Sequence, residues 1–204
     1  MHIAIRADEL QREELFSKAI PAHISVTWNE PVVADAYFDL LFEEESTAFF
    51  THANTAGKVV FVHAVTTKRE ALPANVVRLN AWNGFLKRDI IEVAAMSDIQ
   101  KVAEKVLEEL GWKYAWAPDE PGMIAGRILA MIINEAYFTF GDGVSTREEI
   151  DIAMKLGTNY PYGPFEWSRK IGLDKIYALL VVLGETSSRY AIAPALQDDV
   201  LIKV

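Results

Sequence analysis

The first part of the chain alternates between short apolar segments and amphipathic ones. The apolar segments are rich in β-branched residues. They predict strands at residues 1–5, 24–28, 36–42, 58–64, 75–79, 90–93 and 113–117. Helical spacing of apolar positions appears over residues 7–20 and 97–110. Strands that alternate with helices predict an α/β layer with a mainly parallel sheet, over residues 1–118.

From Asp119 onward the pattern is helical, which predicts a second, all-α domain over residues 119–204. We predict helices at residues 123–140, 145–155, 165–171 and 174–183. Capping boxes are predicted at Ser97-x-x-Gln100 and Ser145-x-x-Glu148. The helices at 123–140 and 174–183 are apolar on most faces, so we expect them in a core or in an interface between subunits.

Composition narrows the class of protein. The 204 residues are 51% hydrophobic and 24% charged, as in a globular chain with a sizeable core. There is no cysteine, which excludes disulfides, thiolate nucleophiles and cysteine metal sites. The net charge is −9, and residues 1–46 hold ten acidic residues against three basic ones. We therefore expect no nucleic-acid partner.

The sequence predicts a cytoplasmic protein with no membrane partner. Its longest strongly apolar stretch, Ile176–Leu183, is shorter than the roughly 20 residues that a bilayer span needs. A basic segment followed by an apolar one, as in a secretory signal, is not evident at the N-terminus.

The four histidines do not show the spacing of metal ligands, so no metal site is expected at His2, His23, His52 or His63. His63 ends a buried predicted strand, and ligands bind at the carboxyl ends of strands in open α/β sheets. A hydrogen-bonded structural histidine is the alternative. Neither a G-x-S-x-G elbow nor a phosphate-binding P-loop occurs.

A dinucleotide site would require glycines directly after the first strand, where the backbone turns tightly and approaches a pyrophosphate. The chain carries Arg6, Asp8 and Gln11 at these positions. Each of these residues has a side chain where glycine has only a hydrogen atom. The carboxylates of Asp8 and Glu9 lie where a diphosphate would bind. The sequence therefore predicts no bound cofactor.

Five blocks of the second half carry a family resemblance. They read DEPGMIAGR at 119–127, INEA at 133–136, EIDIAMKLG at 149–157, YPYGPF at 160–165 and IGLD at 171–174. In this order they closely resemble the C-terminal domain of 3-hydroxyacyl-CoA dehydrogenases. The resemblance implies a helical domain of the 6-phosphogluconate-dehydrogenase C-terminal type, a homodimer formed through it, and a role in fatty-acid or acyl-CoA metabolism.

The resemblance continues upstream in a weaker form. Residues 34–43, ADAYFDLLFE, look like the family strand A-D-L-V-I-E-A-V-F-E, and Thr66 lies near the serine of the family's S-N-T-S-S. Residues 80–84 and 90–93 parallel H-F-F-N-P and L-V-E-V. The first 33 residues are too short for all the early βαβ units of the family, so we expect an abridged Rossmann-like sheet.

The resemblance also implies what has changed in the chemistry. The family's histidine, which takes the hydroxyl proton while hydride passes to NAD, is Asn80 here. The glutamate that orients that histidine is Glu92, and the asparagine of the motif is Asn83. Arg127 keeps a substrate-binding position, although its asparagine neighbour is replaced by Gly126. A carboxamide does not accept a proton at neutral pH, so the general base is missing.

Two functional hypotheses remain open. The first is a divergent, non-catalytic homologue, or pseudo-enzyme, that binds an acyl-CoA or another small molecule or acts in assembly. The second is an active NAD-dependent oxidoreductase with a site rebuilt around His63, Thr66 and Glu92. Glu92 is equally well explained as a solvated residue at a strand end. Residues 160–164 fit a rigid turn, and the tryptophans fit packing.

Overall fold

A computed structural model describes residues 1–45, 49–50 and 55–202, and His52 lies outside these ranges. The chain divides into two compact units, Met1–Ile124 and Ala125–Val204. In the described residues, no helix combines the length and apolar character needed to cross a membrane.

The described part of the first unit is built on a seven-stranded sheet. Its strands are β1 (His2–Arg6), β2 (Ser25–Trp28), β3 (Ala36–Asp39), β4 (Val59–His63), β5 (Val76–Leu79), β6 (Ile90–Ala94) and β7 (Lys113–Trp116). Their order is β2-β1-β3-β4-β5-β6-β7, and only the β5–β6 pair is antiparallel among the described pairs. The prediction of a mainly parallel, Rossmann-like sheet is confirmed.

Strands β3, β4 and β5 are buried along their whole length, as expected of central parallel strands covered on both faces. Phe38 of β3 stacks on Phe61 of β4 with ring centroids 4.4 Å apart, and the edge of Trp112 meets Phe38. Helices α1 (Glu9–Phe16) and α2 (Ser97–Glu109) follow β1 and β6. A short 3₁₀ turn covers Arg69–Ala71.

The second unit is helical in its described residues. Its helices are α3 (Ala125–Gly141), α4 (Arg147–Thr158), α5 (Pro164–Ile171), α6 (Leu173–Gly184) and α7 (Pro194–Ile202), with a 3₁₀ turn at Ser188–Tyr190. Asn134, buried in α3, accepts a hydrogen bond from the Ala193 amide and donates one to the Ala191 carbonyl. This polar residue therefore fixes the start of α7, a helix that the sequence pattern did not predict.

The helix start predicted at Ser97 is confirmed, but both predicted capping boxes are wrong. The N-cap of α2 is Met96, which makes no side-chain cap, and Gln100 donates instead to the Ala95 carbonyl. The capping box of α4 pairs Thr146 with Glu149, one residue later than predicted. Residues 7–20 form a shorter helix than expected, and β3 ends at Asp39 rather than at residue 42.

The turn before α5 is set by Asp151 of α4. Asp151 Oδ1 accepts a hydrogen bond from the Phe165 amide at 2.8 Å, which satisfies a free donor at the start of α5. A Cβ on Gly163 would lie 2.2 Å from the same oxygen, so only glycine fits. This geometry agrees with the interpretation of residues 160–164 as a rigid turn.

Candidate functional site

The sheet order creates a topological switch point at β1. Strand β2 lies on one side of β1 and β3 on the other, so the connections leave in opposite directions. In open α/β sheets, ligands bind in the crevice outside the carboxyl ends of the strands at such a point. Here those ends are Arg6 on β1 and Asp39 on β3, which are register partners.

The Arg6 side chain fills this crevice. It is 3% exposed, and its Nη1 lies 3.3 Å from Asp39 Oδ2. Nη2 donates to Glu45, and the guanidinium lies over the ring of Phe49 at 4.8 Å from its centroid. Burial raises the pKa of the Asp39 carboxyl, and the Arg6 charge opposes that rise. The cluster is therefore a partly desolvated ion pair that belongs to the chain itself.

The other two side chains at glycine positions also make internal contacts. Asp8 Oδ1 accepts from the Gln11 amide at 2.7 Å, and Gln11 Oε1 accepts from the Asp8 amide at 3.1 Å. Gln11 Nε2 donates to the Leu40 carbonyl at 2.8 Å, which ties α1 to the end of β3. A carboxylate thus occupies the helix N-terminus, the place where a pyrophosphate would bind.

These residues do not fit a dinucleotide. The binding loop needs close backbone approach and free amides at the helix start. The side chains of Arg6 and Gln11 instead reach across the crevice. The negatively charged carboxylate of Asp8 accepts the hydrogen bond of the Gln11 amide at the helix start. The cavity beside Asp39 measures about 120 Å³. Small-molecule pockets usually have roughly 300–1,000 Å³.

His63 lies at the end of β4 and is 1% exposed. Its Nδ1 accepts a hydrogen bond from the Ala81 amide at 3.1 Å, and its Nε2 lies 3.8 Å from Glu43 Oε2. Because Nδ1 is the acceptor, a neutral ring carries its proton on Nε2, towards Glu43. The ring thus links β4 to the turn after β5 in the way that a structural histidine would.

Glu43 organises the loop after β4. Its Oε1 accepts from the Thr66 amide at 2.6 Å and hydroxyl at 2.8 Å. The Thr67 amide and hydroxyl both lie 2.7 Å from the same oxygen. The Thr66 hydroxyl, predicted as a site group, is therefore directed at Glu43. Sequence reasoning placed Glu43 in the family motif but gave it no role.

Arg78 fixes the same loop from the neighbouring strand β5. Its Nη1 donates to the carbonyls of Ala64 and Thr67, and its Nε lies 3.0 Å from Asp119 Oδ1. The side chain is fully buried, and this desolvation lowers the pKa of its guanidinium. An arginine inside a strand gave no sequence signal for this role, since the partners become neighbours only in the fold.

Asn80, the residue at the histidine position of the family motif, directly follows β5 and is 6% exposed. Its Oδ1 accepts from the Trp82 amide at 2.9 Å, whereas its Nδ2 is buried and has no hydrogen-bond partner among the described residues. Extending the β5–β6 register by one residue from Leu79–Val93 places Asn80 opposite Glu92. Each of these two predicted residues is therefore a sequence neighbour of the Leu79–Val93 register pair.

Asn83 lies half-buried in a turn that Glu14 of α1 holds. The Glu14 carboxylate accepts from the Gly84 amide at 2.5 Å and from the Leu86 amide at 3.2 Å. Gly84 has a φ of 99°, a conformation that favours glycine. Glu14 is therefore a second supporting carboxylate that sequence reasoning missed.

Arg127 belongs to α3 of the second unit, where it lies 6.0 Å from the ring centroid of Tyr190.

The second unit also contains an apolar groove of about 400 Å³ between α3 and α4. Ile132 and Ala136 line one wall, and Ile150 and Met154 line the other. Across the described residues, no group of three or more acidic or histidine side chains could hold a metal ion.

Comparisons with known proteins agree with the fold. Residues 122–203 match the family model described as 3-hydroxyacyl-CoA dehydrogenase, C-terminal domain. The 3-hydroxybutyryl-CoA dehydrogenase of Clostridioides difficile is 36% identical over 152 residues, which are 72% of this chain and 52% of that protein. The 3-hydroxyadipyl-CoA dehydrogenase of Escherichia coli K12 is 45% identical over 74 residues, 36% of this chain and 16% of that protein.

A solved structure shows the same architecture. The (S)-3-hydroxybutyryl-CoA dehydrogenase of Ralstonia eutropha superimposes with a TM-score of 0.75 and 16% identity, covering 99% of this chain and 94% of that one. The class is thus a Rossmann-type sheet joined to a helical domain. The family model and the curated relatives support a member of the 3-hydroxyacyl-CoA dehydrogenase family, as the sequence motifs predict. It spans about half the length of the Clostridioides difficile relative.

Proposed function

We propose that this chain is a non-catalytic member of its family that binds an acyl-CoA or a related small molecule, or acts in assembly, within acyl-CoA metabolism. The observation that carries this proposal is the closed crevice at the switch point. Arg6 pairs with Asp39 there, and Gln11 bonds to the end of β3. An oxidoreductase of this family needs that crevice for NAD.

The proposed loss of the proton-transfer group also supports a non-catalytic function. Asn80 is a neutral carboxamide whose oxygen already accepts the Trp82 amide. General-base catalysis typically contributes about 10²–10⁴-fold to a rate. Removing both the nucleotide site and the base leaves no route for coupled hydride and proton transfer in a 3-hydroxyacyl-CoA.

The alternative of a rebuilt oxidoreductase site at His63, Thr66 and Glu92 finds less support. His63 Nδ1 is occupied by the Ala81 amide, and the Thr66 hydroxyl donates to Glu43. Both groups would have to leave these contacts before they could take part in proton transfer. His63 is also 1% exposed, which keeps a substrate away from it.

We also propose that the helical unit forms a homodimer. The groove between α3 and α4 is mostly apolar, and Ile128 and Ile152 on these two helices are 54% and 53% exposed. Exposed apolar side chains on two helices that also form an apolar groove support a protein–protein contact. A second copy of the chain is the occupant we propose, since the family resemblance implies assembly through this domain.

Turnover assays test the proposed loss of activity. We expect no detectable reaction with 3-hydroxybutyryl-CoA and NAD, or with acetoacetyl-CoA and NADH. Asn80→His should not restore activity, because the crevice remains closed by Arg6. Oxidation of NADH by the wild-type chain above about 1 s⁻¹, within the usual enzyme range, would contradict the proposal. His63→Ala would then show whether His63 is the base.

A further inference from the structure

Three aromatic rings of the second unit surround one cation. Tyr137 and Phe140 of α3 both meet the ring of Phe165 edge to face, with centroids 4.9 and 6.1 Å apart. The guanidinium carbon of Arg147, at the start of α4, lies 4.4 Å from the centroid of Phe140. It lies 5.6 Å from the centroids of the other two rings. All three distances are within the roughly 6 Å over which a ring attracts a cation.

A carboxylate of α7 completes this site. Asp199 accepts a hydrogen bond from Arg147 Nη2 at 2.9 Å and another from the Tyr137 hydroxyl at 3.0 Å. The Nε of Arg147 is buried and has no hydrogen-bond partner among the described residues. Aromatic rings together with a carboxylate are the chemistry that binds guanidinium groups. We call the three rings and Asp199 the cation cage, and its occupant is Arg147.

Helix α7 has little buried apolar surface of its own. Among its described residues only Leu196 is buried, whereas α6 buries five apolar residues. The start of α7 is held by the two hydrogen bonds of Asn134. None of the described residues from 197 to 202 is buried, so Asp199 attaches the second half of the helix through the cage. Segments with few buried apolar contacts open locally at a lower free-energy cost than the rest of a fold.

We infer that α7 is a strap that opens separately from the rest of the second unit, and that a guanidinium in the cation cage holds it closed. Arg147 supplies this guanidinium from α4. The side chains of Arg147 and Asp199 are both partly exposed, so solutes reach the pair. A group that competes for either partner therefore opens α7 without unfolding the other helices.

Hydrogen exchange of the full chain, read at single backbone amides, tests the strap. In wild-type protein the amides of α7 should exchange faster than those of α6. Arg147→Ala should speed exchange in α7 by roughly threefold to thirtyfold, the range of one partly exposed ion pair with its ring contacts. Exchange in α6 should change much less. Arg169→Ala, which removes an exposed arginine paired with Asp151, is the matched control and should leave α7 unchanged.

A second pair of variants tests the carboxylate of the cage. Asp199→Asn removes the charge that Arg147 contacts and should speed exchange in α7 in the same way as Arg147→Ala. Asp198→Asn makes the same chemical change at an exposed neighbouring position and should have no such effect. Because both changes conserve side-chain size, a difference between them reports on the contact with Arg147 rather than on packing.

Addition of a free guanidinium ion shows whether the cage binds a cation. In Arg147→Ala, millimolar guanidinium chloride should enter the cage and slow exchange in α7 towards the wild-type rate. Urea has a similar planar shape and no charge, so it should not restore slow exchange. In wild-type protein Arg147 fills the cage, and guanidinium should leave the exchange of α7 unchanged.

Three results would overturn the inference. The first is an equal acceleration of α6 and α7 in Arg147→Ala, which would mean that α7 opens only when the whole unit unfolds. The second is identical exchange in Asp199→Asn and Asp198→Asn. The third is the same response of Arg147→Ala to guanidinium and to urea, which would mean that the rings and Asp199 do not select a cation.

Discussion

Arg6 and Asp39 face each other as register partners at the carboxyl ends of β1 and β3, with 3.3 Å between Nη1 and Oδ2. Both side chains are almost completely buried, at 3% and 4% exposure. The pair lies at the topological switch point of the sheet, the place where ligands bind in open α/β sheets. Arg6 stands at a position where a dinucleotide site needs a glycine, so this pair is the basis of the proposed closure of the crevice.

Removal of the Arg6 charge should destabilise the first unit. Arg6→Met leaves Asp39 buried without its cation, and breaking a buried pair in this way typically costs about 3–5 kcal/mol. Arg12→Met, on the exposed face of α1, is the control and should cost less than about 1 kcal/mol. Urea unfolding measures both. Adding Asp39→Leu to Arg6→Met should recover part of the loss, and equal stabilities of Arg6→Met and Arg12→Met would count against the pair.

Alanine substitutions at Gly163, before α5, and at Gly157, inside α4, should have opposite effects on the stability of the chain. Gly163→Ala places a Cβ against Asp151 and should destabilise the chain by about 1–3 kcal/mol, as overpacking does. Gly157→Ala, inside α4 with open space around the new methyl group, should stabilise it by roughly 0.5–1 kcal/mol. Thermal unfolding of the two variants shows directly whether each substitution stabilises or destabilises the chain. Stabilisation by Gly163→Ala would refute the close contact.

Because of the Tyr137 hydroxyl, we expect the folded state to lose stability at alkaline pH. Burial, with Asp199 beside the hydroxyl, raises the pKa of Tyr137 to about 12 from its ordinary value of 10. Since the folded chain holds this proton longer, its contribution is complete below pH 10 and is lost as the pH rises towards 12. Tyr137→Phe should flatten the fall in unfolding free energy across this interval. Parallel pH profiles of wild type and variant would contradict the assignment.

The proposed homodimer predicts a mass of about twice the 22.8 kDa chain by light scattering at tens of micromolar protein. Ile132→Asp introduces a charge into the groove between α3 and α4 and should give a folded monomer. Val33→Asp changes an exposed residue of the first unit and should leave the dimer intact. A monomeric wild type would contradict the proposal.

The sheet was predictable because each strand has a local apolar signal. Val59–His63 is buried at every position, and its run of β-branched residues by itself indicates a buried strand. Helix α7 was missed because the sequence PALQDDVLI has little helical periodicity and its start depends on Asn134, far away in the chain. The antiparallel β5–β6 pair likewise depends on the fold rather than on either strand.

The candidate site was predictable only where a motif carried it. Asn80 and Glu92 were predicted through the family pattern, and each is a sequence neighbour of the Leu79–Val93 register pair. The supporting roles of Glu43 and Arg78 were not predicted, because their hydrogen bonds to residues 64–67 join segments that are distant in sequence. An acidic residue or an arginine near a strand has no local pattern that distinguishes such a role from a solvated side chain.

Titration with NADH tests the central claim, a crevice closed by the chain's own side chains, most directly. A ligand present at 100 times its dissociation constant would stabilise the folded state by about 2.7 kcal/mol. For a chain of this size the corresponding rise in melting temperature is roughly 2–8 °C. We predict no saturable rise with NADH at concentrations up to hundreds of micromolar. A clear saturable rise at micromolar NADH would contradict the account.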